Sequence, residues 1–332
     1  MALVLVLAIY LVYTRFAEAQ QVIQTLQQGH YFWLGLAALT QLVWLVTLTA
    51  TYRQVYRLLG MDWSLAALLP LVATANFVNT ATPAAGAGGI AVYVSDARRR
   101  GYPAARVTVG WALTLLIDQI SLLCVLALGL VVLLRRHQLD AGSLGAAAIL
   151  FLVALVLASL LALGARSAQA LANVLVGGAR LVNRVLYPFL HRAYVAEARA
   201  SAFASELADG LSALRAHWSA YLGPVALGLL SKGLMVVVLL FTFLAFSQPF
   251  SLGTLVAGYS ICYLFVIVSP TPAGLGFVEG LLPLTFMALG VPKASAVLIT
   301  FAYRGLTFWF PFGYGFIAFR VWSRRGKRAL SL

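Results

Sequence analysis

The sequence predicts an all-α polytopic membrane protein with about eight transmembrane helices and two Pro/Gly-interrupted re-entrant segments that form an internal repeat. Its 332 residues are 62% hydrophobic and 10% charged, whereas a soluble domain carries roughly 25% charged residues. Several apolar runs reach the ~20 residues that are needed to cross ~30 Å of hydrocarbon. The runs are continuous, whereas a membrane barrel would show ~10-residue segments of alternating hydrophobicity.

The membrane helices can be placed along the chain from these runs. The first run, residues 1–13, would span only ~20 Å at 1.5 Å per residue, and we interpret it as a short membrane helix. Apolar helices are predicted at residues 1–13, 33–58, 64–80, 104–134, 144–165, 218–246, 251–269 and 293–322, with shorter apolar pieces at 88–97 and 276–290. The chain thus divides into an N-terminal membrane half (1–165), a linker (166–217), a C-terminal membrane half (218–322) and a basic tail (323–332).

The linker between the two halves is polar and rich in Ala and Arg. Its apolar residues recur at helical spacing, as in "LANVLVGGARLVNRVLYPFL" (171–190). That pattern predicts amphipathic helices that lie on the membrane surface. A solvated linker is the alternative.

The formal net charge of +14 predicts membrane partners rather than nucleic acid. The arginines cluster in loops and in "RVWSRRGKR" near the C-terminus, as the positive-inside rule and anionic headgroups favour. We therefore expect a multi-pass protein of the cell membrane with a cytoplasmic C-terminus. Cys124 and Cys262 lie in apolar runs and indicate no disulfide or metal site.

The chain repeats a short pattern at an offset of 189 residues. Thr-Pro-Ala at 82–84 falls on the same tripeptide at 271–273, and Gly-x-Pro at 101–103 falls on 290–292. A long membrane helix follows each Gly-x-Pro. Because both copies occupy the same place in the hydropathy profile, duplication explains them better than chance does.

Each copy begins with a Pro/Gly interruption, "NTATPAAGAGG" (79–89) and "SPTPAGLGFVEG" (269–280). Broken backbone is tolerated at membrane depth only when it is buried in protein or faces a water-filled cavity. The helix after each break would present free N–H groups to an anion such as a lipid phosphate. A simple kink or surface loop is the alternative. The candidate substrate-binding residues here are Thr82, Pro83, Gly86, Thr271, Pro272, Gly274 and Gly276.

Four of the charged residues within or beside the predicted spans bear on the site. Arg304 and Asp118 fall near mid-depth, where a charge costs ~3 kcal/mol or more and is normally paired or functional. We expect the two to meet, as a functional cavity or as a structural pair. Glu279 starts the helix after the second break, where it suits the helix dipole, could pair with Arg304 or could carry a proton. Lys232 is expected to reach towards the interface, and Tyr303 completes the candidate binding set.

No catalytic constellation is evident, so we expect neither an enzyme nor a metal or cofactor. The histidines fall in loops or at helix ends, and phosphate-loop and zinc spacings are missing from the sequence. Asp96, in "SDARRRG", is the best candidate for a catalytic carboxylate if the chain is instead a membrane subunit of a lipid-modifying transferase. A scaffold that gathers partner enzymes is a third reading.

The second interruption and the helix after it resemble the C-terminal signature of the lysylphosphatidylglycerol synthase transmembrane region, a flippase-like membrane family. The matching residues are Pro272, Gly274, Gly276, Glu279, Gly290, Val291 and Arg304. Ala273 replaces one glycine of that signature. The first interruption matches in part, through Pro83 and Asp118. Ala87 or Gly88 stands where the family has an acid, and Thr114-Leu115 replace Glu-Arg.

The resemblance implies a lipid translocator rather than a synthase. In this family the region is linked to moving lipids between leaflets, and aminoacyl transfer resides in a separate soluble domain, which does not follow the last helix here. The implied partners are membrane lipids, either an anionic phospholipid or an aminoacyl-phospholipid. A homo-oligomer and a partner lipid-modifying enzyme are both left open. In this reading Arg304 and the half-helix N-termini hold the phosphate, while Glu279 and Asp118 pair with Arg304 or with a cationic part of the headgroup.

Overall fold

The described part of the chain is helical, with no strand among its residues. The structure, a computed structural model, describes residues 22–81, 87–135, 152, 155–156, 159–160, 162–164, 166–190, 201, 204–205, 218–269 and 271–330. The helices are α1 (Tyr31–Leu58), α2 (Leu65–Ala81), α3 (Ala87–Arg99), α4 (Ala104–Arg135), α5 (Ala168–Leu190), α6 (Leu222–Ala245), α7 (Leu252–Val268), α8 (Phe277–Ala288), α9 (Lys293–Arg304) and α10 (Phe310–Leu330).

Three of the described helices are long and apolar enough to cross a membrane. They are α1, the segment Arg106–Gly129 of α4, and α6, and shorter apolar helices are formed by α2, α7 and α8. The predicted positions of these helices are confirmed to within a few residues. Residues 1–13 and most of 144–165 lie outside the described residues, so the predicted total of eight stays a prediction.

The linker contains one of the described helices, α5, in the stretch that the sequence predicts to be helical. In α5, Leu171 is buried in a cluster with Leu116 of α4, while Leu181 is exposed. One apolar residue therefore packs on the bundle and another is left on an open face. Attachment of that open face to the membrane surface remains a prediction.

The helices of the two halves correspond at the offset found in the sequence. Moving α1, α2 and α3 along the chain by 189 residues places both ends of each within two residues of α6, α7 and α8. The same shift brings the first residue of α4 onto the first residue of α9. A glycine follows the end of the equivalent helices α3 and α8 in the two copies. Gly101 and Gly290 both adopt positive φ, a conformation at helix ends that other residues rarely take.

The helices α7 and α8 form an antiparallel hairpin. A Cβ at Gly258, early in α7, would lie 2.5 Å from the Phe286 ring, late in α8, and the rings of Phe265 and Phe277 meet near the tip at 6.0 Å. The open ends also meet, because residues 248–251 and 289–292 line one cavity of about 230 Å³. At 1.5 Å per residue the 17 and 12 residues of α7 and α8 extend ~25 and ~18 Å. Neither helix reaches the ~30 Å of a full crossing.

The equivalent helices α2 and α3 form a second antiparallel hairpin. Asn79, at the end of α2, accepts a 2.6 Å hydrogen bond through Oδ1 from the Gly89 N–H at the start of α3. At the other end, the Arg100 guanidinium lies 5.5 Å from the centre of the Trp63 ring. The second interruption and the described edges of the first therefore lie at hairpin tips.

The two halves are inverted relative to each other, because the equivalent helices α1 and α6 run antiparallel. The His30 N–H, before α1, donates to the Ala245 carbonyl at the end of α6 over 2.9 Å. At the opposite end, a Cβ at Gly223 would lie 2.7 Å from Oε1 of Gln54. Inverted repeats are the architecture of many transporters, whose sites lie where the repeats meet near the bilayer midplane.

We expect cysteine cross-linking to confirm the antiparallel pair. In protein with Cys124→Ala and Cys262→Ala, the pair His30→Cys and Ala245→Cys should form a disulfide, since a backbone hydrogen bond holds the two positions within disulfide reach. The control pair His30→Cys and Gly223→Cys should not cross-link, because the length of α6 separates its two positions. Mobility on non-reducing gels measures both, and a disulfide in the control pair would contradict the arrangement.

Candidate functional site

The tip of the second hairpin is built by hydroxyl side chains that replace the lost helical hydrogen bonds. After α7 ends at Val268, the Thr271 N–H donates to the Ser269 Oγ over 3.1 Å. The Thr271 Oγ1 donates to the Leu275 carbonyl over 2.7 Å, and the Gly274 N–H donates to the Thr271 carbonyl over 3.1 Å. The chain turns through a single 3₁₀ turn, Pro272–Gly274, so Thr271 satisfies backbone groups that the break exposes.

Three residues at this tip adopt left-handed backbone conformations. Gly274 and Gly276 have φ of 76° and 75°, and Ala273 has φ of 54°. Ala273 stands where the family signature has glycine, and a side chain in this region costs of order 1–3 kcal/mol. This left-handed turn orients the Ala273 carbonyl so that it accepts a hydrogen bond from the guanidinium of Arg304.

Arg304 ends α9 and is buried against the hairpin tip, with 5% of its surface exposed. Its Nε donates to Oε1 of Glu279 over 2.5 Å, and its Nη2 donates to the Ala273 carbonyl over 3.0 Å. The guanidinium carbon lies 4.8 Å from the centre of the Phe308 ring. The prediction that Glu279 could pair with Arg304 is confirmed.

One carboxylate oxygen of Glu279 makes no hydrogen bond to the described residues. The residue lies in the first turn of α8, where a carboxylate also complements the helix dipole. Its Oε2 is buried and has no hydrogen-bond partner among the described residues. A buried polar atom without a partner is costly, so this oxygen is a ready acceptor for a donor that is brought by a ligand.

The backbone widens just after Arg304. Residues Gly305–Trp309 form a π-helical turn that joins α9 to α10, so the last helix runs to Leu330, beyond the predicted end at 322. Pro311 follows closely and has no N–H to give to the preceding turn. Gly305 is packed tightly, since a Cβ there would lie 2.5 Å from Val22. Single π turns occur frequently at functional sites.

Asp118 does not pair with Arg304, and that expectation was wrong. Its Oδ1 lies 2.6 Å from the Nζ of Lys232. Lys232 is 4% exposed, so the expectation that it reaches the interface was also wrong. Gly228, one turn before Lys232, leaves room for Ser121 of α4, and this close approach of α4 and α6 brings the two charges together.

The helix α7 lies between the two ion pairs. The Lys232 Nζ contacts the Tyr263 hydroxyl at 3.5 Å and lies 4.7 Å from the centre of its ring. On the Arg304 side, Cys262 interacts electrostatically with Arg304 and Glu279, and the buried Tyr303 interacts with Arg304 and Cys262. The structure thus places Tyr303 beside Arg304. Lys232 and Tyr263 were not among the predicted binding residues, and their only signal in the sequence is a lysine within an apolar run.

The first interruption is described only at its edges. Thr82, Pro83 and Gly86 lie outside the described residues. The helix α2 that precedes them contacts the turn Pro272–Gly274 at the tip of the other hairpin. The repeat equivalents of Glu279 and Arg304 are Ile90 and Leu115, and both are packed on the apolar core of the first half.

Comparison with known proteins identifies the family of the chain. The family model of the lysylphosphatidylglycerol synthase transmembrane region matches residues 1–315. The chain belongs to this family. Neither the curated proteins nor the solved structures contain a match. Membership of the lysylphosphatidylglycerol synthase transmembrane family, together with the long apolar helices, indicates a multi-pass membrane protein with a role in handling lipids.

Proposed function

We propose that the protein moves a phospholipid, or a lipid-linked headgroup, between the leaflets of the cell membrane. The observation that carries the proposal is the buried pair of Arg304 and Glu279 at the tip of a hairpin too short to cross the bilayer. In this proposal both hairpins are re-entrant, and their tips meet near the midplane. The tails of the lipid stay in the bilayer while its head passes the tips.

The chemistry of the pair suits a phosphate headgroup. A guanidinium carries five N–H donors and matches phosphate in a two-pronged geometry. Two of the donors of Arg304 are held by Glu279 and by the Ala273 carbonyl. When a phosphate replaces the contact to Oε1, Glu279 turns to accept hydrogen bonds from a hydroxyl or ammonium group of the same headgroup. The buried Oε2 is the first acceptor for such a donor.

The cost of the pair supports a role in binding rather than in folding. Replacing a buried ion pair with apolar residues of similar volume is often neutral or stabilising. The first half does this at the equivalent positions, where Ile90 and Leu115 stand in place of Glu279 and Arg304. The first half thus forms its hairpin without this ion pair. We infer that the second half keeps Glu279 and Arg304 because they bind a ligand.

Reconstitution in liposomes tests the proposal. Purified protein with headgroup-labelled anionic, zwitterionic and aminoacylated lipids should speed the exchange of at least one class between leaflets, relative to empty liposomes. Glu279→Gln should slow that exchange at least tenfold. Asp62→Asn is the matched control, because the Asp62 side chain is 86% exposed, and it should keep the wild-type rate.

Two outcomes would overturn the proposal. One is lipid exchange by Glu279→Gln at the wild-type rate, which would show that the buried pair has no role in transport. The other is folded wild-type protein that exchanges none of the three lipid classes. Turnover of a donor substrate, or partner enzymes that co-purify with the chain, would then favour a transferase subunit or a scaffold.

A further inference from the structure

The pair of Asp118 and Lys232 lies at the centre of two membrane spans. Asp118 falls at the middle of Arg106–Gly129, and Lys232 falls near the middle of Leu222–Ala245. Charges at this depth are expensive and mark sites of function more often than they stabilise a fold. The pair is separate from the Arg304 site, because α7 lies between them.

The repeat shows that the fold does not require this pair. The repeat equivalents of Asp118 and Lys232 are Thr307 and Val43, neither of which carries a charge. The elements that carry Val43 and Thr307, helix α1 and the π-helical turn Gly305–Trp309, still contact each other without an ion pair. The charges of Asp118 and Lys232 therefore need an explanation other than packing.

The surroundings of Lys232 form a set of donors around one cation. The Tyr263 hydroxyl lies 3.5 Å from the Lys232 Nζ. Tyr259, one turn earlier on α7, interacts electrostatically with Lys232. Its hydroxyl is buried and has no hydrogen-bond partner among the described residues. An ammonium with two phenol hydroxyls is a donor set that suits a phosphate.

Asp118 is the group that such a phosphate would displace. The side chain of Asp118 is 27% accessible, against 5% for Lys232. At mid-span an accessible carboxylate that faced lipid would be very costly, so the accessible part of Asp118 indicates a route for water or a headgroup. A phosphate that arrives by this route meets Asp118 before it meets Lys232.

We propose that Lys232, Tyr259 and Tyr263 form a second phosphate site, and that Asp118 takes up one proton from water when the phosphate displaces it. The proposal rests on the proposed function, because it names a second station for the same headgroup. In the resting pair the charges of Asp118 and Lys232 cancel. After exchange the phosphate cancels Lys232, and protonated Asp118 is neutral. Without the proton, a net negative charge would remain in the hydrocarbon layer, where charged groups are far costlier than neutral ones.

The other groups that face Asp118 do not supply a second cation. They are Tyr52 on α1, Lys232 on α6, and Tyr259 and Tyr263 on α7. The ring of Tyr93 on α3 stacks on the ring of Tyr52, with their centres 5.0 Å apart. Helix α5 contributes Leu171, which packs on Leu116, half a turn from Asp118. Lys232 is thus the only cation among the described groups around Asp118. Its capture by a phosphate leaves the carboxylate without a counter-ion, which is the condition that favours protonation.

Calorimetry of lipid binding tests the proton uptake directly. Short-chain dihexanoyl-phosphatidylglycerol is titrated into detergent-solubilised protein in two buffers that differ in ionisation enthalpy. Wild-type protein should take up about one proton for each lipid bound at this site. Asp118→Asn should bind the lipid without proton uptake, and Lys232→Met should bind it at least tenfold more weakly. Asp62→Asn should match the wild type.

A second variant separates function from folding. The double substitution Asp118→Thr with Lys232→Val copies the uncharged residues of the other half, so it should unfold at or above the wild-type temperature and show no proton uptake. Binding by wild-type protein without proton exchange would overturn the proposal, as would uptake that persists in Asp118→Asn. The detergent experiment needs no translocation. If proton uptake depends on Asp118 but no lipid exchange is found in liposomes, the second phosphate site stands and the proposed function as a translocator is wrong.

Discussion

Arg304→Leu should abolish lipid exchange and also destabilise the protein by about 3–5 kcal/mol. The second effect arises because Glu279 would stay buried without its cation, and an uncompensated buried charge costs about this much. The loss of the bond to the Ala273 carbonyl adds to the penalty. Thermal unfolding in detergent measures the stability, and the liposome assay measures the exchange.

The decisive variant is the double substitution Glu279→Ile with Arg304→Leu. It installs in the second half the pair that the first half has at Ile90 and Leu115. Because no charge is left buried, the double variant should recover most of the stability that Arg304→Leu loses, while lipid exchange stays abolished. Recovery of both would show that the ion pair has no role in transport. Recovery of neither would show that it is needed for the fold.

The positions of the helices in the two hairpins were largely predictable from the sequence, because local residues determine where these helices begin and end. Thr-Pro-Ala marks the tip of the second hairpin, and Gly-x-Pro marks the far end of both. The apolar pieces before each Gly-x-Pro became α3 and α8. Positive φ at Gly101 and Gly290 explains why glycine recurs at the same repeat position. These signals act over a few residues, so a single sequence carries them.

The partners of the charged residues were not predictable, because they depend on which helices lie side by side. Asp118 and Arg304 both fall near mid-depth, and depth alone suggested that they meet. In the structure α7 lies between them, and each finds a partner on its own side. Hydropathy also left the relative direction of the repeats open, which the contact of His30 with Ala245 resolves.

Gly274→Ala should be among the most damaging single substitutions in the protein, and Gly290→Ala is its matched control. Both glycines have positive φ, 76° and 88°, so an alanine at either position costs ~1–2 kcal/mol of backbone strain. At Gly290 the added Cβ meets no atom within 4 Å. At Gly274 it would lie 2.6 Å from Cγ2 of Val278 and 3.3 Å from the Cα of Val266.

The clash at Gly274 should therefore add ~1–3 kcal/mol to the strain that both variants share. The backbone of α7 is one of the two obstacles, so the tip must shift, and the Ala273 carbonyl moves away from Arg304. Gly274→Ala should consequently lose lipid exchange as well as stability, whereas Gly290→Ala keeps exchange at the wild-type rate. Unfolding temperatures and exchange rates of the two variants, compared side by side, measure this difference. Equal losses of stability in the two variants would contradict the close approach of α7 at the tip. Lipid exchange at the wild-type rate by Gly274→Ala would show that transport does not depend on the geometry of the tip.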